Sequence, residues 1–316
     1  MENKIIAIAN GKGGVAKTTT TFQLGWTLAK NGFKTLVIDC DAQCNLSHTF
    51  GMSDDTVYSE NLFKSILNMT VPYAYTVHEN LSVVIAHPDM CRLDKQIAGD
   101  NMAVMRLPRI ITPLKEYFDF ILLDCPPNLE TTIVRGAIFA ADFLLVPISG
   151  DYSLRGREDM LNMLEVINKD SKEVLNREGA KLLGYLMTRS YVKQIEWKKT
   201  LYDLRKNVND NEIFSNIISE RAHVRKCQAA HMPVDSYKKT IKGREVIDKS
   251  ANDSIQEFED VAQEFVERIH WLDAGHTFQD GLPDSLQERK YTFPSLKEVE
   301  ELISKSAQHI QEQEQE

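Results

Sequence analysis

No stretch of about 18 consecutive apolar residues occurs in this sequence, and a membrane-spanning helix needs roughly that many. A charged leader followed by an apolar run and a small-residue cleavage site is also missing, because Lys4 leads directly into Ile5–Ala9. No secretory signal is therefore expected, and the protein should stay in the cytoplasm. Cysteine is scarce: Cys40, Cys44, Cys91, Cys125 and Cys227 are odd in number and scattered, and the Cys40/Cys44 pair has no matching second pair at zinc spacing. That pattern speaks against a disulfide framework or a structural zinc site and for reduced, mostly buried thiols. Internal repeats are absent, and nothing before the terminal "QEQEQE" is low in complexity.

What is present is an ordinary globular composition. The 316 residues, 42% of them hydrophobic, suffice for a substantial core. The formal net charge of −9 hides an asymmetry: residues 250–316 hold 5 Lys/Arg against 16 Asp/Glu, which leaves residues 1–249 at +2. A slightly basic body therefore precedes an acidic tail, and any anionic partner has to be judged against the body.

Short apolar runs alternate with amphipathic stretches, the pattern of a doubly wound, mostly parallel α/β sheet with helices on both faces. Strands are expected at Ile5–Ala9, Thr35–Ile38, Leu81–Ile85, Phe120–Leu123, Phe143–Val146, Leu182–Met187 and Ile213–Ile218. Helices are expected around Thr18–Lys30, Asn101–Phe118, Thr131–Ala140, Ser153–Asn168, Glu196–Val208, Arg221–His231 and Ile255–Ile269. Residues 1–269 read as one domain. Residues 270–316 read as an acidic helical extension, with an amphipathic stretch from Ser295 to about Ile310 and a disordered end.

Between the first strand and the first helix lies "NGKGGVAKTT", residues 10–19. A glycine-rich turn in that place aims backbone N–H groups and the positive end of a helix at one point, where phosphates bind. Gly11, Lys12, Gly13, Gly14, Val15, Ala16, Lys17 and Thr18, followed by Thr19, match the P-loop pattern except that Ala16 stands in place of its last glycine. Lys17 is then the lysine on the β/γ-phosphates and Thr18 the Mg²⁺-binding hydroxyl. A methyl group at Ala16 is compatible only with negative φ, which is the expectation here. Lys12 is a second lysine with no room in its own site, whereas in a face-to-face dimer it could reach a neighbour's phosphates.

Two aspartate boxes follow. "TLVIDCDAQCN" puts Asp39 and Asp41 just past a buried strand, and "FDFILLDCPPNLE" ends an apolar strand at Asp124 before two prolines. Carboxylates at strand ends can hold Mg²⁺-bound water or orient an attacking water.

"KGGVAKTT" resembles the deviant Walker A box of the ParA/MinD ATPases, and the D-x-D-x-Q-x-N and D-C-P-P strings are similar to that family's next two boxes, with Ala42 where partition ATPases often have proline. Weaker likeness continues to about residue 250 through "VPISGDYSLRG" and "AAHMPV". The resemblance implies an ATP-hydrolysing enzyme with ATP and Mg²⁺ as cofactors and an ATP-dependent homodimer in which Lys12 crosses to the partner's nucleotide. By the same match Asp41 orients the water, and Asp39 and Asp124 stand on the Mg²⁺ side with Thr18. It further implies a partition role: nonspecific binding to nucleoid DNA and a centromere-binding, ParB-type adaptor that stimulates hydrolysis.

The basic stretches 181–206 and 220–249 supply local patches of the kind phosphate contacts need. Arg189, Lys193, Arg221, Arg225 and Lys226 are the candidate DNA contacts. No N-terminal helix-turn-helix is expected before a strand that starts at residue 4. A MinD-like membrane-linked positioning ATPase is the alternative, but Glu298, Glu300 and Glu301 beside the apolar stripe of the tail would be repelled by anionic lipid, so no membrane contact is expected. An iron-protein relative would need differently placed cysteines, and a tyrosine-kinase relative a tail with more tyrosine than Tyr291.

Overall fold

Lys4–Ile8 (β1) is buried along its whole length, so it requires strands on both edges and helices on both faces. The computed structural model, which describes residues 3–52, 59–150, 154–189, 195–236, 238–241, 244–247, 251–287, 297, 298, 300 and 301, provides both. Thr35–Asp39 (β2), Tyr75–His78 (β3), Leu81–Val84 (β4), Phe120–Asp124 (β5), Phe143–Ile148 (β6) and Lys181–Met187 (β7) join it in one sheet of order β3-β4-β2-β5-β1-β6-β7. All neighbours pair in parallel except β3, which runs antiparallel to β4 at the edge. The doubly wound sheet expected from the sequence is thus present.

Alternation along β1 divides the core. Ile5, Ala7 and Ala9 face a cluster with Leu107, Ile110, Val134, Ile138, Met160 and Leu164. Ile6 and Ile8 face Phe22, Leu24, Leu28, Phe258, Val261 and Phe265. Each fully buried isoleucine contributes about 1.5–3 kcal/mol relative to exposure. The helix Lys17–Lys30 lies close on β2: a Cβ added at Gly25 would come within 2.7 Å of Val37 Cγ1.

Several elements differ from expectation, each for a local reason. The stretch 101–118 is not one helix but a 3₁₀ turn Ala103–Met105, a helix Arg106–Ile111 and a second 3₁₀ turn Thr112–Glu116 with a proline in its first positions; Pro113 has no N–H to continue an α-helical ladder. Ile213–Ile218 is not a strand. It meets β7 only at its two ends, where the Phe214 and Ile218 amides donate to the Tyr185 and Met187 carbonyls at 2.9 Å each, while the amides of Ser215 and Asn216 between them donate to the Glu264 carboxylate at 2.7 and 2.9 Å. Glu264, held in turn by Arg268 at 2.8 Å, takes the donors that a ladder would have used. Edge strand β3, the helices Asn45–Thr49 and Leu62–Asn68, and a hairpin of Lys238–Ile241 (β8) with Arg244–Ile247 (β9) were not expected. The closing helix runs Ala251–Asp273, across the boundary expected at 269/270, and Phe278, Leu282 and Leu286 beyond it are buried in the same core. Of the amphipathic stretch from 295 to 310, only residues 297, 298, 300 and 301 are described, and they are helical.

Candidate functional site

β1 lies between β5 and β6, so the chain leaves it at the point where strand order reverses, the place where open α/β sheets bind ligands. The helix Lys17–Lys30 starts there with no side-chain cap and no acidic residue in its first turn. Its first amides are therefore unclaimed by side chains and aimed at the mouth of the sheet. Gly14 (φ 76) and Ala16 (φ 61) bend the loop. The negative φ expected at Ala16 is corrected by this geometry: the residue is left-handed and carries its methyl group under strain. Lys17, only 8% exposed, folds back so that Nζ donates to the carbonyls of Asn10 at 3.2 Å and Lys12 at 2.9 Å. Burial lowers its pKa against the opposing pull of Asp124, Cys125 and Asp41. Asn10 braces the loop from below, donating to Pro147 O at 2.7 Å and accepting from the Lys12 amide at 2.9 Å. A Cβ at Gly11 would lie 3.0 Å from Leu129 Cδ1, in the segment that follows Asp124, so the loop runs close against that segment.

Asp39 and Asp124 end β2 and β5 as register partners, which places two buried carboxyls on adjacent strands. Burial pushes Asp39 up to about 6, with hydrogen bonds from Ser47 opposing it. Its Oδ2 accepts from the Ser47 amide (2.8 Å) and hydroxyl (2.7 Å), and its Oδ1 from the Asp41 amide (3.1 Å). It is therefore tied to the start of helix Asn45–Thr49. Asp124 is raised well above the usual carboxylate range, first by burial and then by Asp39, while the Thr18 hydroxyl and Lys17 pull it down. Its Oδ1 accepts from the Thr21 hydroxyl at 3.4 Å, and its buried Oδ2 has no hydrogen-bond partner.

An orphaned carboxylate oxygen beside a threonine hydroxyl and an open helix start suits Mg²⁺, which prefers one or two carboxylates completed by water and phosphate oxygens. Among the described residues no group of three or more His, Cys, Asp or Glu could hold a metal ion. Asp41 is half-buried in front of Asp39 and accepts from the Gln43 amide at 3.0 Å.

On the other side of the loop a cavity of about 290 Å³ is lined by Gly14, Ala16, Thr19, Arg189, Glu220 and Arg225, with Arg221 and Gln228 at its wall. Gln228 donates to Thr19 Oγ1 at 2.7 Å, and Thr188 at the end of β7 donates to Val15 O at 2.9 Å. Of the residues expected to contact DNA, three meet here and each is bound to a carboxylate. Arg189 bonds Glu220 (2.8 Å) and the Gly14 carbonyl (2.9 Å), Arg225 bonds Glu220 (3.2 Å), and Arg221 bonds Glu257 (2.8 Å) and Asp253 (3.1 Å). Lys226 is exposed on the helix Ala222–Ala229. Lys193 and the Asp151-Tyr152 pair lie outside the described residues. Asn10, Thr188, Glu220 and Gln228 were not singled out from sequence. Asn10 alone had a signal, its place directly before the loop; the others reach the site only through folding.

Residues 3–177 match the model of a family described as an AAA domain. A chromosome partitioning protein ParA of Myxococcus xanthus is 27% identical over 77% of this chain and 84% of its own. A sporulation initiation inhibitor protein Soj of Bacillus subtilis is 29% identical over 77% of this chain and 94% of its own. Among solved structures, a Cyanothece McdA variant in complex with ATP superposes with a TM-score of 0.68 at 24% identity, over 84% of this chain and 97% of that one. The last comparison speaks to the fold.

Proposed function

The chain belongs to the AAA-domain family, and on that footing we propose that this ATPase is a partition motor. It binds ATP with Mg²⁺, dimerises face to face, carries DNA without sequence preference and is released when a ParB-type adaptor stimulates hydrolysis. It would work in the cytoplasm, on the nucleoid. One observation carries the nucleotide-binding part of this reading: the uncapped start of helix Lys17–Lys30 lies beside the unpartnered buried oxygen of Asp124. The first asks for an anion and the second for a cation, and a metal-bound triphosphate satisfies both.

Within this reading the loop amides and Lys17 hold the β/γ-phosphates, which requires Lys17 to leave the Asn10 and Lys12 carbonyls it now bonds. Thr18 and Asp124 would hold Mg²⁺, which supplies charge neutralisation to the phosphates. Asp39 positions the turn that carries Asp41 through Ser47. Asp41 accepts a hydrogen bond from the attacking water and aligns it. Lys12 reaches the partner's phosphates. A membrane-linked positioning role gains no support from Glu298, Glu300 and Glu301. Among the described residues no helix is long and apolar enough to cross a membrane.

Two variants test the site. Lys17→Ala should abolish binding of a fluorescent ATP analogue, and unchanged affinity would remove the phosphate-loop assignment. Asp41→Ala should still bind, yet hydrolyse ATP slower by roughly two to four orders of magnitude. Wild-type turnover in that variant would move the water-orienting role elsewhere.

A further inference from the structure

Apart from Arg189, Arg221 and Arg225 at the cavity and the exposed Lys226, the described residues offer a polyanion a second basic surface within the stretch 181–206. In the helix Ile195–Arg205 and the turn after it, Lys199 and Lys206 are exposed, while Arg205 is engaged with Asp210 at 2.6 Å. Tyr202 between them is 9% exposed, and the Lys206 ammonium lies 4.0 Å from the centre of its ring. Into this corner comes Glu300 of the acidic tail. Its carboxylate accepts a hydrogen bond from the Tyr202 hydroxyl and lies 3.8 Å from Lys206 Nζ. Tyr202 and Glu300 together raise the Lys206 pKa, the tyrosine contributing most.

One hydroxyl and one ammonium converging on a single anionic oxygen are also the donors that proteins place on a phosphodiester. We infer that Tyr202 and Lys206 form a phosphate-binding subsite for the DNA backbone, and that Glu300 occupies it as an internal stand-in when DNA is absent. The tail has the charge for that part, since residues 297–316 carry six glutamates against two lysines. An exposed ion pair of this kind is worth about 1 kcal/mol or less, weak enough for a polymer of phosphates to displace it. The acidic extension then sets a threshold on DNA binding: a surface engages only when enough phosphates compete at once, as they do when dimerisation doubles the contacts. This inference rests on the DNA-carrier reading of the function.

The test uses full-length protein with ATP and Mg²⁺ and a short random-sequence DNA duplex, titrated over a series of KCl concentrations. Glu300→Gln should raise affinity by roughly three- to tenfold at moderate salt, and Lys206→Ala should lower the salt slope by about one unit. In the Lys206→Ala background the gain from Glu300→Gln should shrink to what the Tyr202 hydroxyl alone supplies, and with Tyr202→Phe added it should vanish, because the glutamate would no longer be masking a contact. A gain of equal size in both backgrounds, or in a control with Glu312, Glu314 and Glu316 changed to Gln, would mean only general charge repulsion and would overturn the subsite. Tyr202→Phe should reduce affinity while leaving basal ATP hydrolysis intact, which reports that the chain is folded. If wild type binds DNA and Glu300→Gln changes nothing, the subsite alone falls. If neither wild type nor any variant binds DNA, the carrier reading falls with it.

Discussion

Ala16 is the residue at which local preference and function disagree. Its φ of 61 is left-handed, which costs an L-residue about 1–2 kcal/mol, and yet it ends the loop that starts the helix. Glycine would remove the steric cost but return part of the gain through unfolded-chain entropy. Ala16→Gly should therefore be neutral to about 1 kcal/mol more stable, and Ala16→Val less stable by about 1–2 kcal/mol. Urea midpoints of the nucleotide-free proteins should rank Gly at or above Ala, and Ala above Val; valine at or above alanine would mean that the left-handed geometry is not kept. The aspartates carry the pH dependence. Asp39 rises from 3.8 to about 6 in the folded chain, and Asp124 shifts the same way. Between those values the folded state keeps protons that the unfolded chain has released, so stability is present at the acid side and falls as pH rises through the window. Melting temperatures of nucleotide-free protein should fall as pH rises across it, and Asp39→Asn should flatten that part of the profile. A profile that climbs through the window would contradict the placement of the two carboxyls.

Among the elements, the segment Ile213–Ile218 depends on a side chain from elsewhere. Its strand-like composition is overridden because Glu264 of the helix Ala251–Asp273 accepts from the Ser215 and Asn216 amides and from Asn216 Nδ2. Arg268, fully buried, donates to Glu264 and to the carbonyls of Leu183, Asn211 and Ile213. Glu264→Ala would leave that guanidinium without its counter-charge and strand two backbone donors, a loss of about 3–5 kcal/mol. Chemical denaturation should show it, and a change under 1 kcal/mol would mean that water replaces the carboxylate. Because the cavity beside the phosphate loop is walled by the residues that follow this segment, Ser219, Glu220 and Arg221, the same variant should also weaken nucleotide affinity.

For the whole molecule the open question of chemistry is the second lysine. Lys12 is half-buried in the loop, and its carbonyl, not its ammonium, is what Lys17 uses. If Lys12 serves the partner's phosphates, Lys12→Ala should bind ATP as a monomer with affinity near wild type but fail to dimerise. Light scattering with ATP and Mg²⁺ that shows normal dimers would remove the trans role. Wild-type dimerisation should in turn appear only with ATP.

The sequence by itself determined the parts of this protein that are contiguous: buried strands β1, β2, β5 and β6, the loop Gly11–Thr18 between a strand and a helix, and Asp39 and Asp124 at strand ends, because hydrophobic period and glycine placement act over a few residues. It also determined the charge contrast between body and tail. Only the tertiary structure decided that Asp39 and Asp124 become register partners, that Gln228 and Thr188 close on the loop from far along the chain, and that Ala16 takes a left-handed turn. It decided as well that Arg189, Arg221 and Arg225, alike in sequence to any solvated basic residues, each meet a carboxylate. Most of those outcomes depend on long-range pairing: the carboxylates that meet Arg189 and Arg221 lie more than thirty residues away and leave no trace in the local pattern, whereas Glu220, five residues before Arg225, meets it only through the way the chain turns there.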